Sequence, residues 1–302
     1  MVDPARLTRL RGLETHLAAN IRGQAHLLPR VASGFSRAAL ALTDSARPGA
    51  SFLLVGPTGT GKSKTFADAC AYTFGLDRLV TFDMSEYQDH LALGKMLGAS
   101  RDDPGMLGRA LSLVPSGALL FDELEKAHGS VIDLFLQMLE RGCITIATGQ
   151  VHRLGGYVVG FTSNVGATEA MRMTHSSFAS IEQATLRRLE RILRPELLGR
   201  IDEKLVFAGL SPAVQNEICA LEVTAELSRL RQQGYDLTIS KDAMEFLARE
   251  GFHPLLGARP LRKMVGSQIQ NAVLRSLYSW GFARGEIVPD IPSSQLEVRA
   301  NE

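Results

Sequence analysis

Gly56-Pro57-Thr58-Gly59-Thr60-Gly61-Lys62-Ser63 is the stretch that decides the fold of this chain. It follows the apolar run Ser51–Val55, which reads as a buried strand, and it opens a helix-like stretch from Lys62 to Phe74. Strand, glycine loop and helix in that order are the setting of a phosphate-binding loop, the Walker A pattern. The glycines let backbone N–H groups close around phosphate oxygens, and the helix N-terminus adds the positive end of its dipole. In such a loop Lys62 reaches the β- and γ-phosphates and the Ser63 hydroxyl holds Mg²⁺, while the segment through Lys64 lines the nucleotide.

Working outward, short apolar runs alternate with longer helical patterns from about residue 21 to 207. Strands are expected at 52–55, 79–82, 118–121, 157–161 and 204–207. Apolar strands separated by helices argue for an α/β fold with a parallel sheet covered on both faces. The first 20 residues read as one amphipathic helix with Leu7, Leu10, Leu13 and Leu17 on a face. Gly209-Leu210-Ser211-Pro212 then punctuates the chain, Ser211 as an N-cap and Pro212 as a first helical residue. The expected division is an N-terminal helix (1–20), a large nucleotide-binding domain (21–208) and a small α+β lid (209–302). In the lid, helices are expected at 212–232, 241–250 and 258–277, with strands at 236–239 and near 295–298.

Composition excludes several classes. Lys plus Arg number 33 and Asp plus Glu 32, so no global field draws the chain to nucleic acid or membrane. No apolar run approaches the roughly 20 residues of a membrane span, and the first residues lack an apolar signal core. Cys70, Cys143 and Cys219 show neither metal spacing nor a disulfide set and are expected to be buried in a reducing, cytoplasmic setting. Tyr278, Trp280 and Phe282 are assigned to packing between lid and core.

Ala118-Leu119-Leu120-Phe121-Asp122-Glu123 is a strand ending in two carboxylates. Phosphoryl transfer needs a carboxylate in the Mg²⁺ shell and a group that orients the attacking water. Asp122 suits the first role and Glu123 the second, as general base. Glu125 and Lys126 read as structural residues at the next helix start. Asn164 ends another apolar strand, where it can position the same water. Arg194, Arg200 and Arg259 offer guanidinium groups for γ-phosphate charge.

Together these residues resemble the Clp family of AAA+ ATPases, above all the second ATPase module of the two-ring Clp unfoldases and disaggregases. Ile21-Arg22-Gly23-Gln24 looks like the family's box bordering the adenine pocket, which implies that Ile21 and Arg22 bind nucleotide. Phe121-Asp122-Glu123-Leu124-Glu125-Lys126-Ala127-His128 is similar to its Walker B block. Thr162-Ser163-Asn164 looks like sensor 1, Gly199-Arg200-Ile201-Asp202 like the arginine-finger box, and Gly257-Ala258-Arg259 like sensor 2. The resemblance implies ATP and Mg²⁺ as cofactors. It also implies that Arg200 reaches a neighbouring subunit's ATP in a hexameric ring.

Two departures shape the expected function. Where Clp unfoldases carry an aromatic Gly-Tyr-Val-Gly pore motif, this chain reads Leu97-Gly98-Ala99-Ser100-Arg101-Asp102-Asp103-Pro104-Gly105-Met106, without an aromatic residue. An aromatic tip grips polypeptide through apolar contact, and Arg101, Asp102 and Asp103 cannot do so. A docking tripeptide for a Clp-type protease is not evident in 165–180. The family's second ATPase ring, substrate-binding N-domain and coiled-coil middle domain are not expected either. The leading expectation is an ATP-hydrolysing ring that remodels or disassembles a dedicated protein partner, with no Clp-type protease; near-neutral charge argues mildly against a nucleic-acid partner without excluding one. The alternatives are a processive unfoldase with an unorthodox pore loop and a nucleotide-gated scaffold or loader with slow turnover.

Overall fold

The computed structural model describes residues 3–44, 46–167, 173, 176–253, 255–281, 283–290 and 293–299. Backbone packing divides the chain into two compact units. One comprises Met1–Pro57 with Gly61–Gly209, the other Thr58–Thr60 with Leu210–Glu302.

The first unit is built on five parallel strands. They are β1 (Ala50–Val55), β2 (Leu79–Asp83), β3 (Gly117–Asp122), β6 (Tyr157–Ser163) and β7 (Glu203–Val206), in the order β2-β3-β6-β1-β7. All four neighbouring pairs are parallel. Every residue of β1 and β6 is buried, as expected of a sheet with helices on both faces. Successive side chains point to opposite faces, and the core sorts accordingly. Leu53, Val55, Leu119, Phe121, Val159 and Phe161 join one apolar cluster with Val131, Phe135 and Met138 of α7 (Gly129–Arg141). Phe52, Leu54, Leu120 and Val158 join another. Its helical members come from α2 (Leu13–Asn20), α3 (Leu28–Ala39) and α4 (Lys62–Phe74). On the first face Phe82, Phe121 and Phe161 stack from strand to strand at 5.3 and 5.5 Å, and Phe135 closes on them at 4.5 and 5.0 Å. On the second, Gly160 leaves room for the Phe66 ring; a Cβ there would lie 2.5 Å from it.

The N-terminal stretch is two helices rather than the single one expected: α1 (Pro4–Arg11) and α2, joined at Gly12. A Cβ at Gly12 would stand 2.6 Å from the Tyr72 hydroxyl, so close packing on α4 sets the break. Leu10, Leu13 and Leu17 are buried, whereas Leu7 is exposed. Between β2 and β3 lie α5 (Ala92–Leu97) and α6 (Gly105–Leu113). After α7 comes a hairpin of β4 (Cys143–Thr145) and β5 (Val151–Arg153). The unit ends with α8 (Phe178–Ile192), α9 (Pro195–Arg200) and β7.

The second unit carries α10 (Pro212–Gln232), α11 (Lys241–Gly251) and α12 (Leu261–Trp280) around a sheet ordered β10-β9-β8. Its strands are β8 (Asp236–Ile239), β9 (Arg284–Asp290) and β10 (Gln295–Arg299). Cys219, Val223, Leu237, Leu247, Val265, Ile269, Ile287 and Leu296 fill its core. Ser211 caps α10 with its side chain, accepting from the Val214 amide, and Pro212 follows as first helical residue. The helix expected at 258–277 runs instead from Leu261 to Trp280, and β9 was not expected. Tyr278 (81% exposed) and Trp280 (52% exposed) are not packed away; Tyr278 lies off the buried Val265–Ile269–Val273 stripe of α12. Phe282 lies outside the described residues. Cys70 and Cys219 are buried and free, and Cys143 is only half-buried. Burial pushes the Cys70 thiol up to about 12 and that of Cys219 to about 11, which keeps both inert. Among the described residues no helix is long and apolar enough to cross a membrane.

Candidate active site

Three adjacent strands end together, and their tips carry the polar residues. β3 runs beside β6 with Phe121 opposite Phe161, so the next residues, Asp122 and Thr162, are neighbours. β6 runs beside β1 with Ser163 opposite Val55, which leads directly into Gly56. The loop from Gly56 to Gly61 then turns the chain into α4. Gly56, Gly59 and Gly61 all have positive φ (144°, 73° and 99°), a region that only glycine enters freely. A Cβ at Gly56 would strike the Phe207 carbonyl at 2.7 Å. A Cβ at Gly61 would meet nothing within 4 Å, and no side chain caps α4. The helix start thus carries no side-chain cap and has room beside Gly61, a setting that suits an anion.

Lys62 is 7% exposed. Its ammonium donates to the carbonyls of Gly56 (2.8 Å) and Pro57 (2.9 Å) and to Asn164 Oδ1 (3.0 Å), using all three protons. Burial pushes its pKa down to about 8, against the opposing pull of Asp122, Glu125 and Glu123. A buried cation flanked by acids and a glycine loop suits phosphate oxygens.

Asn164, the first residue beyond β6, is the hub. Its side-chain amide also donates to Glu123 Oε1 at 3.1 Å, and its backbone N–H donates to Glu125 Oε1 at 3.0 Å. Glu123 has φ 60°, a left-handed conformation unusual outside glycine, and its amide donates to the Thr162 hydroxyl at 3.0 Å. The other oxygen of Glu123 pairs with Lys126 at 2.5 Å, which raises the lysine's pKa. Thr162 donates in turn to Asp122. Ser63 Oγ lies 3.4 Å from Asp122 Oδ1, so two hard oxygen donors converge beside the loop, a donor set that fits Mg²⁺.

The structure thus brings together Lys62, Ser63, Asp122, Glu123 and Asn164. Sequence reasoning missed Thr162 as the bridge between the acids, and gave Glu125 and Lys126 only structural roles. What places Thr162 there is the register of β3 against β6, which residue spacing does not give. Arg200 does not join the cluster; it ends α9 and pairs with Glu140 of α7 at 3.2 Å. Arg194 likewise pairs with Asp133, at 2.5 Å. Asp202, in the same segment, accepts from the Ser51 amide and hydroxyl at 2.8 and 2.7 Å and so clips β7 to β1. Ile21 is buried and Arg22 donates to the Ala18 carbonyl. Next to them, the buried Gln24 bonds both backbone groups of Ala208, at 2.9 and 3.0 Å. Arg259 belongs to the second unit, where it is exposed in the turn before α12. Pro57, Thr58, Thr60 and Lys64 complete the loop and the helix start. The segment 165–180 read for a protease-docking tripeptide falls partly outside the described residues.

Sheet order, glycine loop and paired strand-tip acids define a P-loop ATPase of the AAA+ class. The profile of the AAA domain (Cdc48 subfamily) matches residues 47–204, more than half of the chain. That of the C-terminal D2-small domain of ClpB matches 210–288. The chain belongs to the AAA+ ATPase family and is homologous to the C-terminal module of ClpB. It is 31% identical over 288 residues to a ClpB 2 chaperone of Synechocystis, covering 93% of this chain and 33% of that one. To the chloroplastic ClpB2 chaperone of Oryza sativa it is 31% identical over 301 residues, covering 96% and 31%. The solved S. cerevisiae Hsp104-ADP complex matches with a TM-score of 0.88 and 26% identity, over 99% of this chain and 54% of that one. The chain spans about a third of the length of the curated relatives it matches.

Proposed function

We propose that this chain hydrolyses ATP to ADP and phosphate and uses the cycle to remodel a protein partner. The observation that carries the reading is the single hydrogen-bonded chain from Lys62 through Asn164 to Glu123 at the tips of β1, β6 and β3. Residues 21–208 act as the nucleotide-binding domain, entered through the helices of 1–20, and residues 209–302 as the lid. Gly56 to Lys64 hold the phosphates through backbone N–H groups and Lys62, with Ile21 and Arg22 at the base. Ser63 and Asp122 would hold Mg²⁺, which would supply positive charge beside the phosphate oxygens when bound. Glu123 accepts the proton of the attacking water, and Asn164 keeps that water aligned. Arg259 responds to the nucleotide from the lid.

Arg200 is assigned to a neighbouring subunit's site. It pairs with Glu140 and with none of Lys62, Ser63, Asp122, Glu123 or Asn164 in the contacts described, which supports a role in trans, and a head-to-tail contact that closes makes a ring, here a hexamer. The free, buried thiols suit a reducing compartment, the cytoplasm.

The remodelling is read as proceeding without an aromatic pore grip. The segment between α5 and α6 is braced by Asp103, which accepts from the amides of Ala99 (3.2 Å) and Gly105 (3.0 Å) and pairs with Arg109 at 3.1 Å. Arg101 and Asp102 are exposed at its tip. A short, self-bonded, charged tip favours contact with a dedicated polar partner over processive apolar gripping, and no Clp-type protease is expected.

The test is ATP turnover per subunit against protein concentration. A steep rise marks sites completed between subunits; a flat rate for wild type would sink the ring. Arg200→Ala mixed with Lys62→Ala should recover activity that each lacks alone.

A further inference from the structure

We infer that Glu125 is a positioning residue for hydrolysis: its carboxylate holds the backbone of Asn164 and so fixes the side chain that joins Lys62 to Glu123. The inference rests on the ATPase reading above and assigns a residue which that scheme leaves unused.

Asn164 stands one residue past the end of β6, where the sheet ladder no longer fixes the backbone. Its N–H is taken instead by Glu125 Oε1, which reaches over from the 3-10 turn Leu124–Lys126 after β3. Together with the bond that the Asn164 carbonyl accepts from the Ala167 amide at 3.2 Å, it orients a residue whose side chain makes two further bonds, to Lys62 at 3.0 Å and to Glu123 at 3.1 Å. A tilt at the Asn164 backbone would misplace both the water-aligning amide and its grip on the base.

The chemistry of Glu125 is also excessive for a structural clip. Its second oxygen, Oε2, is buried with no hydrogen-bond partner. Removing a carboxylate oxygen from water without a donor is costly. A carboxyl group at this place is explained by the site it faces. Glu125 acts on Lys62 more strongly than Glu123 does, second only to Asp122. The hydrogen bond to the Asn164 backbone is the positioning contact, and the pull on Lys62 is secondary to it.

The experiment uses the full chain with Glu125→Ala and Glu125→Gln. Two quantities are read: steady-state ATP turnover, and hydrogen exchange of the Asn164 backbone amide by NMR. Glu125→Ala should lower kcat about tenfold or more with KM shifted less than about twofold, the pattern of a lost transition-state alignment. Its Asn164 amide should exchange about tenfold faster, as the bond that protects it is gone. Glu125→Gln keeps an acceptor and should restore both protection and at least about a third of kcat. Wild-type kcat and a protected Asn164 amide in Glu125→Ala would overturn the inference. So would a kcat loss with the amide still protected, or one that Gln fails to rescue although it restores protection. A wild-type chain without turnover would defeat the ATPase reading alone, and the amide exchange would still decide the positioning.

Discussion

Two polar clusters in the first unit are organised in opposite ways. The one around Asn164 is half-buried and joins distant parts of the chain: the phosphate loop, the end of β3 and the end of β6. The one around Asp103 is exposed and wholly local, tying Ala99, Gly105 and Arg109 within a few residues. Both hold backbone amides with a carboxylate, yet they constrain different things. In the first, a side chain is fixed relative to a lysine and an acid that tertiary structure alone brings near. In the second, a loop is fixed relative to itself. Chemistry should depend steeply on the first and hardly at all on the second.

Breaking the chemical cluster at its base gives the largest effect. Glu123→Gln keeps the shape and the Asn164 contact but removes the proton acceptor. Turnover should fall about a thousandfold, within the range for loss of general base catalysis, while nucleotide binding persists. Filter binding and phosphate release measure the two, and normal turnover would remove Glu123 from the role. The local clip should respond in the converse way. Asp103→Ala should leave turnover per assembled subunit within about twofold, yet hydrogen exchange of the Ala99 and Gly105 amides should rise about tenfold as the loop opens locally. Turnover lost together with loop protection would erase the distinction between the clusters.

A smaller effect sharpens it. Glu123 has both oxygens engaged, one by Asn164 and one by Lys126. Lys126→Met frees the second oxygen without touching the hub. Basal turnover should rise about two- to fivefold, the scale of an exposed ion pair expressed as a rate. A fall of that size would mean that Lys126 helps to orient the base instead of restraining it.

The two clusters also differ in how far they could be read from residues alone. Parallel strands end at one edge of the sheet, so motifs at the ends of β1, β3 and β6 had to meet, and Lys62, Asp122, Glu123 and Asn164 were legible together. Thr162 and Glu125 were harder, because their contacts run from strand to strand and from turn to backbone, where no spacing rule applies. Asp103 showed only as a charge in a loop without aromatics; that it braces the loop depends on a close approach in which a Cβ on Gly98 would strike the Asp103 carbonyl at 1.8 Å. Among the elements, β9 escaped because Gly285 and Pro289 interrupt it and charges surround Ile287 and Val288. The hairpin of β4 and β5 escaped because three residues per strand carry no measurable alternation. The break at Gly12 is set by Tyr72 on another helix, which no local pattern contains.

The smallest prediction concerns the proton on Lys62. Its pKa in the folded chain is about 8, below the ordinary 10.5, so between those values the unfolded chain binds more protons than the folded one. Stability of the nucleotide-free protein should therefore rise with pH across that window. The burden, about 3 kcal/mol, is fully present below pH 8 and relieved as the lysine deprotonates. Phosphate beside the ammonium favours the charged form, so nucleotide binding should draw a proton in. Near pH 8 about half the molecules lack that proton, and uptake should be about half a proton; near pH 7 it should be about a tenth. Calorimetry in buffers of different ionisation enthalpy reads this directly. Affinity should also weaken as pH rises above 8. The Asp103 loop has no such buried cation, and its exchange rates, corrected for the intrinsic effect of pH, should show no midpoint near 8. Equal uptake at pH 7 and 8 would mean that Lys62 is not the group whose charge the phosphates secure, and the hub at Asn164 would then be holding a lysine already committed before nucleotide arrives.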